Sequence, residues 1–66
     1  MNISNMIREL RLEKGVSQAQ LAKQIKVSQK AIDYWERGIN EPKASYIVAL
    51  ADFFDVSADL LLGRKD

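Results

Sequence analysis

Apolar side chains recur along this chain at intervals of three and four residues between short polar turns, the spacing of α-helices that each bury one face. The first such stretch predicts a helix from about Ile3 or Ser4 to Lys14, with Ile3, Ile7 and Leu10 inward and Gly15 ending it. Val16 then enters the core ahead of Ser17. Leu21, Ala22 and Ile25 share a face of a second helix, and Ile32, Trp35 and Glu36 share a face of a third. A fourth runs from about Lys43 to Phe54, with Ala44, Ile47, Leu50, Ala51 and Phe54 at the same recurrence. Asp55-Val56-Ser57 breaks it, Ser57 caps a fifth helix through Leu62, and Gly63 ends that one. Nothing alternates with period two over a useful length, so the expected fold is all-α, five helices in one domain over residues 1–66. The loop Gly38-Ile39-Asn40-Glu41-Pro42 is closed by a proline that cannot continue a helix, and no internal repeat, linker or low-complexity segment is expected.

The second and third helices are separated only by Lys26-Val27-Ser28. An apolar Val27 in so short a turn makes sense as a plug between two helices that cross steeply, and Ala22 is small enough to let their backbones approach. Ser17 and Ser28 stand where an N-cap hydroxyl accepts a hydrogen bond from a first-turn amide. This is a helix-turn-helix pattern, and its second helix turns Gln29, Lys30, Asp33, Tyr34 and Arg37 away from the buried face. Gln29, Lys30 and Tyr34 carry the donors and acceptors that can meet base edges in a major groove. The plainer reading of that face is a solvated surface; the helix-turn-helix frame is what favours DNA. Asp33 falls to the plain side, three residues after Lys30 and four before Arg37, where helical ion pairs form.

The 66 residues contain neither cysteine nor histidine, so no disulfide and no Cys/His zinc site can staple the fold. Hydrophobic residues make up 47%, enough for an ordinary packed core. No apolar run approaches the roughly 20 residues that span a bilayer, and no signal-peptide pattern is present, which points to a cytoplasmic protein. Net charge is only +1, but residues 1 to 40 carry seven basic and four acidic side chains, whereas residues 41 to 66 carry three and five. The positive end holds the helix-turn-helix, and that modest footprint implies weak, salt-dependent binding by one copy.

Taken together, Ile7-Arg8-Glu9-Leu10-Arg11, Gly15-Val16-Ser17-Gln18, Leu21-Ala22, Val27-Ser28, Ile32, Trp35-Glu36-Arg37-Gly38, Pro42, Leu50-Ala51, Phe54, Val56-Ser57 and Leu61-Leu62-Gly63 resemble the Cro and lambda-repressor type of domain. This is the xenobiotic-response-element family of small transcriptional regulators. The resemblance covers nearly the whole chain and implies a lambda-repressor-like DNA-binding domain. It places Gln29, Lys30 and Tyr34 at base edges, and Gln18, Ser28, Arg37, Asn40 and Lys43 at phosphates. It also implies a partly buried structural ion pair between Arg11 and Glu36, in which removal of Glu36 would cost roughly 3 to 5 kcal/mol by stranding the arginine. Two departures stand out. Lys26 occupies a turn position usually filled by glycine, so a left-handed lysine costing about 1 kcal/mol is expected there. Ala44 and Ala58 replace larger aliphatic residues, leaving the packing of the last two helices less closely specified.

The function that follows is sequence-specific DNA binding in transcriptional regulation, with a repressor occupying its operator as the form expected. One module contacts too few base pairs for useful specificity, so a homodimer on a pseudo-palindromic site of double-stranded DNA is expected. Tyr46, Phe53, Leu60 and Leu62 form the candidate dimer surface, set against the simpler reading that they only cover the small core. The alternative is a protein-interaction module, such as an antitoxin-like partner gripping a second protein through that apolar surface. No cofactor, metal or small-molecule ligand is suggested, and an enzyme is the least supported class, with no histidine, no cysteine and no glycine-rich phosphate loop.

Overall fold

The computed structural model describes residues 3–63, and within them the backbone forms five α-helices. These are α1 (Ile3–Lys14), α2 (Gln18–Ile25), α3 (Gln29–Glu36), α4 (Ala44–Phe54) and α5 (Ala58–Leu61), with no strand among the described residues. Each helix sends one side chain to the centre of the core: Ile7, Leu21, Ile32, Leu50 and Leu61 are all fully buried. Burying a side chain of this size contributes about 1.5 to 3 kcal/mol, so the five together are the main cohesive element of so short a chain. Ile3, Ala22, Ile25, Trp35, Ala51 and Phe54 complete the buried hydrophobic cluster, and Leu10, Val16, Val27 and Ile47 are among the half-buried side chains that pack against it.

One expected core position is corrected. Ala44 is exposed, because it is the first residue of α4 and lies at the end of the helix, ahead of the side chains that pack against α1, α2 and α5. Among the described residues no helix is long and apolar enough to cross a membrane.

Local chemistry sets the helix boundaries. Ser17, Ser28 and Ser57 each sit in extended backbone and accept a hydrogen bond from the amide three residues on, at 3.0, 3.1 and 3.0 Å. At Ser17 the bond is reciprocated, since the Gln20 side-chain oxygen accepts from the Ser17 amide at 2.8 Å, a capping box the sequence reading did not single out. Lys26 ends α2 in the left-handed region, at φ 63° and ψ 47°, as its place in the turn required.

The expectation of no internal repeat is also corrected. Leu21-Ala22, Ile25, Val27-Ser28 and Ile32 recur 29 positions later as Leu50-Ala51, Phe54, Val56-Ser57 and Leu61. The backbone recurs with them. Asp55 adopts φ 56° and ψ 48°, the conformation of Lys26. Val27 donates to the Ala22 carbonyl and Val56 to the Ala51 carbonyl, both at 3.0 Å. Helices α2 and α3 are thus matched by a second, shorter helix-turn-helix built from α4 and α5.

Candidate nucleic-acid interface

Helix α3 owes its orientation to its inner face. Ile32 is fully buried and Trp35 is 5% exposed, so the opposite face must point to solvent. Gln29 and Lys30 are exposed there at the start of the helix, and Tyr34 is half-buried one turn further on. Lys30 is not paired with Asp33, as its spacing had suggested. Its ammonium lies 5.5 Å from the centre of the Tyr34 ring, an arrangement that braces both side chains on the exposed face. The Asp33 carboxylate accepts from Arg37 at 3.1 Å, the i to i+4 pair expected of it.

Behind this face runs a polar network that ties three helices together. Glu36 keeps only 4% of its side chain exposed and receives two hydrogen bonds from the Arg11 guanidinium, from Nε at 2.6 Å and from Nη2 at 3.0 Å. Arg11 Nη1 donates to the Val16 carbonyl at 3.0 Å, so the guanidinium also fastens the end of α1 to the segment leading into α2. The hydrogen bond to Glu36 and the attraction of its charge hold Arg11 above its ordinary pKa, while burial pulls the other way. The pair implied by resemblance is therefore present, and it is bidentate.

Gln18, at the start of α2, extends the network. Its side-chain amide donates to Glu36 at 3.2 Å and to Asp33 at 3.4 Å. Of the residues assigned to phosphates, Gln18 is thus half-buried and engaged, Arg37 is exposed but held by Asp33, and Ser28 is exposed with its hydroxyl capping α3. Asn40 and Lys43 are exposed in the segment between α3 and α4. Lys43 is the N-cap of α4 and makes no side-chain capping bond, in contrast to the serines that cap α2, α3 and α5. The Tyr46 amide donates to the Lys43 carbonyl at 2.9 Å, so the amides of Ala44 and Ser45 are the ones left at the start of α4 beside a lysine, a suitable place for an anion.

The four candidate dimer residues do not form one exposed patch. Tyr46 is half-buried with its ring 5.5 Å from that of Trp35, and Phe53 is half-buried at 5.2 Å from Phe54 with the Lys14 ammonium 4.9 Å from its ring centre. Leu62 is half-buried and Leu60 is 42% exposed. Leu12, Ile39 and Val48 are more exposed still, and periodicity did not single them out because none belongs to an obvious stripe. Sequence reasoning also overlooked Asp33 as the junction between Gln18 and Arg37. Its pair with Arg37 follows the i to i+4 spacing, but the bond from Gln18 comes from another helix, 15 positions away, and no spacing along the chain announces it.

Residues 7–61 match the helix-turn-helix family. Over its full length the chain is 35% identical to the HTH-type transcriptional activator BcrR of Enterococcus faecalis, of which it spans 32%. It is 34% identical to the P22 c2 repressor protein, solved in complex with a synthetic operator, with 92% of each chain covered and a TM-score of 0.87. It is 30% identical to SinR, a master regulator for biofilm formation solved in complex with DNA, with 91% of this chain and 97% of that one covered and a TM-score of 0.85.

Proposed function

The chain belongs to the helix-turn-helix family, and from that premise we propose that it is a sequence-specific DNA-binding regulator of transcription that represses by occupying an operator. In this reading α3 enters the major groove, where Gln29, Lys30 and Tyr34 meet base edges. Gln18, Ser28, Arg37, Asn40 and Lys43 lie along the flanking phosphates. The observation that carries the reading is the setting of α3. Its inner face is locked by Ile32, Trp35 and the Arg11–Glu36 pair, and its outer face presents Gln29 and Lys30 rigidly from the first turn. Support comes also from the N-terminus of α4, whose N-cap Lys43 makes no side-chain capping bond and so leaves first-turn amides beside a basic residue for a phosphate.

One copy of this surface spans too few base pairs to find a site among many, so two copies act on a pseudo-palindrome with half-sites about one helical turn apart. The test is selection of duplexes from a random library followed by a salt titration on the winner. Recovery of an inverted repeat with centres about 10 base pairs apart is the expected result. Failure of folded protein to enrich any sequence overturns the proposal.

A further inference from the structure

Asp33 is a carboxylate on the face that the preceding reading turns toward DNA, and the polyanionic duplex makes any such group costly. It shares that face with Gln29 and Lys30, four and three residues before it, and its side chain is 36% exposed. The other carboxylate of α3, Glu36, is neutralised by the bidentate Arg11 and is nearly sealed from solvent. Asp33 has no such counterion behind it. Its Oδ2 accepts from the exposed Arg37, and its Oδ1 accepts from Gln18. Both of those donors are side chains assigned to phosphates.

We propose that Asp33 is a specificity-determining residue that suppresses binding to random DNA and selects an amino-bearing base edge in the major groove. The inference rests on α3 being the groove-facing helix. Its physical basis is a competition. In the free protein, Asp33 occupies Arg37 and Gln18. On a duplex, those donors turn to phosphate only by leaving the carboxylate bare in a drying interface, where an unsatisfied acceptor is heavily penalised. A cytosine N4 or adenine N6 amino group opposite Asp33 supplies the missing donor, whereas the keto oxygen of guanine or thymine repels it. The matching site lifts the penalty and a random site does not. The residue therefore widens the gap between the two affinities without needing to strengthen the tighter one.

The experiment compares D33N with the wild-type protein on the selected operator and on random duplex, each across a salt series. Asparagine keeps the shape and can still accept from Gln18, so the network survives while the charge is gone. Random-duplex affinity is expected to rise about tenfold and its salt slope to steepen by about one, the mark of one more phosphate contact from the released Arg37. Operator affinity is expected to change less than about threefold, and re-selection with D33N is expected to lose the amino-base preference at one position per half-site. Adding R37A to D33N removes the gain on random DNA, and D33E, which keeps the charge, preserves the discrimination. A rise of equal size on both duplexes, or an unchanged salt slope, overturns the inference while leaving α3 as the reading helix. A wild-type protein that prefers no duplex overturns both.

Discussion

Helices α2 and α3 and helices α4 and α5 run through the same turn with opposite surfaces. Both turns begin at an alanine carbonyl that accepts two hydrogen bonds. They pass through one left-handed residue, half-bury a valine and restart the helix at a capping serine, Ser28 at φ −76° and Ser57 at φ −75°. The exposed positions then diverge. Lys23, Lys26 and Lys30 of the first unit correspond to Asp52, Asp55 and Asp59 of the second, and Gln29 corresponds to Ala58. The first unit carries an eight-residue α3 locked to α1 by a half-buried ion pair, whereas the second ends in a four-residue α5. A helix-turn-helix backbone is therefore a packing solution that this chain uses twice. Charge, helix length and bracing separate the unit suited to a groove from the unit that completes the core.

The most disruptive way to break this contrast is to remove the brace that only the first unit possesses. Glu36→Ala strands Arg11, whose side chain is 11% exposed, and is expected to lower unfolding free energy in urea by about 3 to 5 kcal/mol. A domain of this length has little more than that in total, so the variant is expected to be only marginally folded at 25 °C. A loss under about 1 kcal/mol would mean the pair is as dispensable as a surface bridge.

Next in size is the loss of reading chemistry at constant fold. Gln29→Ala converts the first residue of α3 into the residue that Ala58 already is in α5, so stability should be unchanged. Affinity for the selected operator is expected to fall by about 1 to 3 kcal/mol, with relaxed preference at one base position. Lys43→Ala instead weakens all duplexes alike and reduces the salt slope by about one. Identical behaviour of the two variants would erase the division between reading and anchoring residues.

The capping serines test whether the turns are energetically alike. Ser28→Ala and Ser57→Ala each remove a hydrogen bond, of 3.1 and 3.0 Å, and each is expected to cost about 1 kcal/mol by thermal or urea unfolding. A much smaller effect at Ser57 would show that the second turn is held by its packing alone.

The smallest effects come from the left-handed residues. Lys26→Gly is expected to stabilise by about 1 kcal/mol, because a glycine has no Cβ to strain at φ 63°. Asp55→Gly is expected to gain less, since aspartate tolerates that region better than lysine does. A lower melting temperature for Lys26→Gly would show that the lysine side chain stabilises the turn by more than its backbone costs.

Much of this molecule could be read along the chain because its information is local. The five helices, their serine caps, the end of α1 at Gly15 and the inward set around Ile7, Leu21, Ile32, Leu50 and Leu61 all follow from spacing and from the backbone preferences of single residues. The left-handed turn at Lys26 was legible for the same reason. The duplicated turn was written there too, but similarity at six scattered positions is faint until two matching backbones make it plain.

What the sequence determined by itself is the period and the punctuation: where helices run, which side they bury and which polar side chains α3 leaves outside. Tertiary structure alone decided how the polar groups are shared. The approach of α1, α2 and α3 sets Arg11 on Glu36 and turns Gln18 toward both carboxylates of α3. It also decided that Tyr46 and Phe53 lie half inside while Val48 stays out. The physical reason is range. Helix period and capping act within about four residues, whereas a hydrogen bond across 15 or 25 positions exists only after the core has brought its ends together.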